Sequence, residues 1–186
     1  MTDKAALRRQ VRALYPGGAE RDRQSALLCA HILDSAWYRE AQVIGGYIPM
    51  AREADVTAVL NAALAQGKTL ALPRCGIAPH MTFRRVRTLK ELLPGAFGIP
   101  EPGEDTELIG ADEISLLLTP LEAIDLRGMR LGKGGGYYDC LLAGHDVRTM
   151  GCALSWQQVE RVPADAWDRR LQACADQHGI RYFDKA

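Results

Sequence analysis

The apolar residues of this chain keep helical spacing over some stretches and form strand-like runs over others, and the switches outline its elements. A first helix is expected from a cap at Thr2 or Asp3 to the break at Pro16-Gly17-Gly18, with Ala6, Val11 and Leu14 as its loosely spaced apolar positions. A second, near Ala19 to Leu33, carries Leu27, Leu28, Ile32 and Leu33. "VIGGYIPM" is a buried run closed by Pro49 and predicts a strand. "DVTAVLNAALAQG" predicts a helix capped by Asp55 and ended by Gly67, and "TLALP" a strand after it. Strand, helix and strand then succeed one another over the usual length of a parallel crossover unit.

"MTFRRV" alternates apolar and basic residues, as a half-exposed strand does, while "ISLLLTP" is an unbroken apolar run suited to a central strand. Beyond it come a glycine loop, which this strand is expected to feed, a helix from about Tyr137 to Ala143, and the strand "RTMGCALS". After Pro163 a short helix or turn and a last strand near "IRYF" complete the pattern. The alternation predicts one three-layer α/β/α domain over residues 1–186 with a largely parallel sheet. "PGAFGIPEPGED", rich in Pro and Gly, is expected to form a surface loop near a site.

Composition narrows the classes of function. Of 186 residues, 47% are hydrophobic and 25% charged, ordinary for a globular domain. The 23 basic and 23 acidic side chains cancel, so no global field attracts a polyanion and nucleic acid is not an expected partner. The cysteines (Cys29, Cys75, Cys140, Cys152, Cys174) and the four histidines are scattered, without the ligand spacing of a zinc site. Reduced thiols in a cytoplasmic protein are the natural expectation. The charged first residues lack the apolar stretch of a signal peptide, and no apolar run has the length of a membrane span.

The chemistry concentrates in "RLGKGGGYYDC", Arg130 to Cys140. Glycines let a backbone approach phosphate oxygens without Cβ atoms in the way, and a helix start offers N–H groups with no intrahelical partner. Arg130 and Lys133 add positive charge, and Asp139 offers oxygen to a magnesium ion. Neither common phosphate motif fits. Gly128 and Gly132 have too few residues between them for a Walker loop, and Lys133 is followed by Gly134, not Ser or Thr. Tyr137 occupies the last glycine position of a dinucleotide fingerprint. A plain surface turn is the bland alternative, disfavoured by the flanking Arg, Lys and Asp. Lys4 and Arg8, four apart, share a helix face; from the residues alone a solvated basic face is the better reading of that pair.

"GMRLGKGGGYYD" resembles the signature of the 5-formyltetrahydrofolate cyclo-ligase family. "KAALR", "YIPMAREADV", "ALPRC", "MTFRRV", "FGIPEP" and "LLTPLEAIDLRG" follow the family's order, so the resemblance spans nearly the whole chain. It implies ATP and Mg2+ as cofactors, a reduced folate as substrate, and a fold similar to that of sugar-phosphate isomerases and CoA transferases. It implies that Lys4 and Arg8 contact ATP phosphates, and that Arg130, Leu131, Gly132, Lys133, Gly134, Gly135, Gly136, Tyr137 and Tyr138 cradle the triphosphate. Ile48, Glu53 and Tyr137 would contact the folate; Glu53, Arg130 and Lys133 would serve catalysis. Asp139 and Asp168 would hold the metal. The sequence departs from the family where Trp167-Asp168 replaces His-Asp and where an aromatic residue is missing just after "MTFRRV". These departures leave a second reading open: a nucleotide-binding protein of the same fold that lacks the ligase reaction.

Overall fold

The computed structural model describes residues 3–183, so Thr2 as a cap lies outside the described residues. Asp3 does cap α1 (Lys4–Ala13), its carboxylate accepting the Ala6 N–H. The buried face of α1 is Leu7 and Val11, one turn apart, not the Ala6–Val11–Leu14 set; Leu14 is exposed. α2 (Gly18–Asp34) and a short α3 (Ala36–Glu40) lead into β1 (Val43–Gly45). β1 is shorter than its apolar run suggests, because "YIPM" bends away to form a wall described below. α4 (Thr57–Ala65) crosses to β2 (Thr69–Cys75), which pairs parallel with β1 and completes the expected crossover. The residue flanking α4 is Val56; Asp55 acts from one place earlier, accepting the Thr57 N–H.

β3 (Met81–Val86) turns back antiparallel on β2, and Leu93 with the start of "PGAFGIPEPGED" forms a small hairpin, β4 (Leu93–Pro94) with β5 (Pro100–Glu101). β6 (Leu108–Ile109) pairs with β3, and the fully buried β7 (Leu116–Thr119) takes the centre of the sheet. A second small hairpin, β8 (Ala123–Ile124) with β9 (Arg130–Leu131), comes next. The glycine loop therefore leaves β9, not β7 as expected, and enters α5 (Tyr137–Ala143). β10 (Thr149–Cys152) follows; after Pro163 there are turns but no helix, then β11 (Ala173–Asp176) and β12 (Gly179–Tyr182).

The main sheet runs β12-β11-β10-β7-β1-β2-β3-β6. Its five middle strands are parallel and its flanking strands antiparallel. The two-residue alternation of a strand divides the core between faces. Leu116 and Leu118 face α2 and α4 through Leu28, Ile32, Val59 and Leu60, while Leu117 packs with Phe83, Ile109, Ile114 and the underside of α5. Leu7 and Val11 of α1 seal a separate cluster over β8–β9 with Ala123, Met129, Leu131 and Val162. Helices thus cover both faces, as the three-layer expectation requires.

Candidate active site

The middle strands end on one side of a cavity of about 400 Å³. Tyr47, Ile48, Met50 and Glu53 enter its wall after β1, Cys75 at the end of β2, and Pro120 and Leu121 after β7. Ligands of open parallel sheets bind beyond these carboxyl ends. The β4–β5 hairpin closes another side with Phe97, Ile99 and Glu101, and the glycine loop closes a third.

Arg130 ties the loop to the sheet. It is only 6% exposed; it donates to Pro120 O at 3.3 Å and to Asp139 Oδ2 at 3.1 Å, and its guanidinium lies 5.3 Å from the centre of the Tyr138 ring. Buried Arg130 Nε and Asp139 Oδ1 have no protein partner. Unpaired buried polar atoms are costly and are normally matched by water, ion or ligand. Burial and the nearby Glu53 carboxylate push the Tyr138 hydroxyl far above its ordinary range, only partly offset by Arg130, so it stays protonated. Gly134 and Gly136 adopt φ of +109° and +70°, which side-chain-bearing residues rarely do. Leu131 points into the α1 cluster, so only its backbone is free for a ligand on the loop.

Lys133 and Glu53, far apart in sequence, meet at 2.7 Å. Glu53 is 6% exposed, and its other oxygen accepts the Met50 N–H at 2.8 Å. Ile48, Glu53, Arg130, Lys133, Gly135, Gly136, Tyr137 and Tyr138 all line the cavity. Arg8 reaches the loop from α1, donating from Nε to Gly132 O at 2.8 Å, with its guanidinium near Gly134.

Lys4 and Asp168 meet one another. Lys4 Nζ bridges Asp168 and Asp165, the latter at 2.7 Å. Partial burial pulls the Lys4 pKa down, but hydrogen bonds to both carboxylates outweigh it and the net shift is upward. Asp139 and Asp168 are thus engaged by different cations, and the described residues contain no group of three or more metal-type ligands. Trp167, where the resemblance implies a His, is 67% exposed.

Sequence reasoning missed Glu101, Cys75, Phe97 and Met50 as wall residues. For Glu101 and Phe97 a signal existed, since the Pro/Gly-rich segment was expected near the site. Phe97 has φ of 57° at the hairpin tip and is 72% exposed. It supplies an aromatic rim later in the chain than the position where one was noted missing.

The 5-formyltetrahydrofolate cyclo-ligase family profile matches residues 1–175. A Haemophilus influenzae protein named 5-formyltetrahydrofolate cyclo-ligase is 30% identical over 173 residues, covering 90% of each chain. A Mus musculus protein of the same name is 30% identical over 181 residues, covering 90% of this chain and 88% of its own. The solved structure of Aquifex aeolicus 5,10-methenyltetrahydrofolate synthetase superposes with a TM-score of 0.86 at 30% identity, over 98% of this chain and 94% of that one. No described helix is long and apolar enough to cross a membrane.

Proposed function

The chain belongs to the 5-formyltetrahydrofolate cyclo-ligase family, and from that premise we propose that it converts 5-formyltetrahydrofolate to 5,10-methenyltetrahydrofolate in an ATP-dependent reaction that releases ADP and phosphate. The observation that carries the reading is the Lys133–Glu53 pair. It joins the glycine loop, suited to phosphates, to the wall of an apolar cavity suited to a pteridine.

The chemistry explains why both halves are needed. An N5-formyl group is an amide: its carbon is a weak electrophile and its oxygen a poor leaving group. Transfer of the γ-phosphoryl group of ATP to the formyl oxygen corrects both. N10 then attacks the carbon, loses its proton, and the C–O bond breaks with departure of phosphate. Such catalysis is mainly positioning and charge compensation. Lys133 and Arg130 offset charge on the transferred group, and the loop N–H groups from Gly132 to Tyr138 hold the triphosphate. Arg8 stiffens the loop through Gly132 O and adds positive charge beside it, and Lys4 would add its own on leaving Asp165 and Asp168 for a phosphate. Ile48, Tyr137 and Phe97 pack the folate, and Glu53 orients N10.

The residues present fit a magnesium ion at one point. Asp139 Oδ1, buried and without a protein partner, is an oxygen ligand of the right kind beside the loop. Asp168 is held by Lys4 instead. Bound with ATP, Mg2+ would supply charge neutralisation of the phosphates. A cytoplasmic setting with reduced thiols suits the reading, and all five cysteines are free.

The test follows methenyl absorbance with ATP present and absent, in wild type and Lys133→Met. ATP-dependent product formation, lowered about 100-fold or more in the variant, supports the reading. ATP binding without product in the wild type would leave only a nucleotide-binding protein.

A further inference from the structure

The cavity contains a second carboxylate to which the reaction above gives no task. Glu101, on β5, is 6% exposed and lines the cavity. Its position is built. β5 pairs with β4 in the register Leu93↔Glu101, and the side chain then lies across Gly95. A Cβ added at Gly95 would come within 2.4 Å of Glu101 Cγ and 2.6 Å of its Cδ, so only glycine leaves the room. Glu101 Oε1 accepts the Cys75 N–H at 3.3 Å. Burial first, and the adjoining Glu101 carboxylate second, push the Cys75 thiol up to about 11.

Glu53 and Glu101 differ in what they have left to offer. Glu53 gives one oxygen to Lys133 and the other to the Met50 N–H. Among the described residues no cation pairs with Glu101: Arg74, beside it, donates to Pro102 O, and the cavity wall shared with Glu101 includes the apolar Pro73, Met81, Ile99 and Pro100. An anion held in such walls is stabilised by donors a ligand brings. Its location is also polarised. Glu101 hangs from the end of β2, Arg130 from the segment after β7, and β1 lies between those strands. Two strand spacings, about 10 Å, therefore separate the two sides, the scale of a fused bicyclic ring.

We propose that Glu101 recognises the 2-amino-4-oxopyrimidine edge of the reduced pteridine, accepting N–H groups from ring N3 and the 2-amino substituent, so that the formyl end points to Lys133 and Arg130. The inference rests on the folate reading above. Two parallel N–H donors match the two oxygens of one carboxylate. Glu101 is then a specificity-determining residue for the ring, distinct from Glu53 at the reacting end.

The experiment reads binding and turnover separately. Calorimetry measures 5-formyltetrahydrofolate, and an analogue with methyl in place of the 2-amino group, on wild type, Glu101→Gln and Glu101→Ala. Wild type should prefer the parent by about 10–100-fold. Glu101→Gln should weaken parent binding by a similar factor, leave the Kd of ATP unchanged, and bind parent and analogue alike. A merely structural role would weaken both folates equally and preserve the preference. Retained discrimination in the folded variants, or unchanged parent affinity, overturns the proposal. Should both variants lose their melting transitions, Glu101→Asp, which keeps the carboxylate but draws it back by one methylene, replaces them: a reduced preference for the parent upholds the proposal, and an unchanged preference overturns it. Turnover of the same wild-type preparation tests the underlying reading independently.

Discussion

Single residues at this site act through pairs. Glu53 is held by Lys133, and Arg130 by Asp139 and the Tyr138 ring. Glu53→Gln removes the charge but not the volume. It should lower kcat about 100-fold while MgATP affinity, measured by calorimetry, stays within about threefold, because the loop backbone remains intact. Normal turnover would remove Glu53 from the site. Glycine positions are not equivalent either. A Cβ at Gly135 would stand 2.7 Å from the Tyr137 ring, so Gly135→Val drives that ring out of the cavity wall. Its obstacle is this contact, whereas at Gly134 and Gly136 it is positive φ. Gly135→Val should melt near wild type without ligand, since the residue is exposed, and lose the melting shift on adding MgATP; an undiminished shift would separate the loop from the phosphates. The loop residues were legible because their types are diagnostic together. For Glu101 only the segment was legible, as a Pro/Gly-rich loop near a site; the residue itself was not, because its meaning depends on Gly95 and on pairing with β4, which spacing does not reveal.

Among the elements, α1 decides whether the phosphate side is complete. It docks by Leu7 and Val11 over β8–β9, and three of its basic residues make specific contacts: Lys4 with Asp165 and Asp168, Arg8 with Gly132 O, Arg12 with Glu122. Leu7→Ala should cost about 2–5 kcal/mol at that interface. Hydrogen exchange of α1 should quicken and MgATP binding weaken, with β7 and β10 unaffected; unchanged exchange would mean that α1 is held by its ion pairs instead. Lys4→Ala should lower the ligand-free melting temperature: the pair with the half-exposed Asp165 contributes about 1 kcal/mol or less, but the buried Asp168 carboxylate also loses its cation. The substitution should weaken MgATP about tenfold or more; unchanged affinity would make Lys4 a docking residue alone. The long periodic elements were readable in advance. The two-residue strands β8 and β9, and β11 with only "ACAD", were not, because their strand character comes from partners brought by the rest of the fold.

For the whole molecule, the parallel centre of the sheet gathers the ends of β1, β2 and β7 around one cavity, and two small hairpins supply its remaining walls. Asp125 locks one of those hairpins. Burial raises its pKa, but N–H groups of Val162, Arg127 and Met129 and the Arg127 guanidinium lower it further, for a net depression below 3.8. A depressed carboxylate stabilises the fold above its unfolded pKa and loses that contribution as pH falls through the folded value. Melting temperature should therefore drop below about pH 4. Asp125→Asn should melt lower at neutral pH with a shallower acid limb; an unchanged acid limb would assign acid sensitivity to other groups. In the proposed reaction the cavity and the glycine loop act on one formyl oxygen. This is tested most directly by a single turnover of 5-formyltetrahydrofolate carrying 18O in the formyl group, with unlabelled MgATP and mass analysis of the released phosphate. Methenyl product should appear together with inorganic phosphate that contains one 18O. Label released to water, or methenyl product formed alongside unlabelled phosphate, would contradict it.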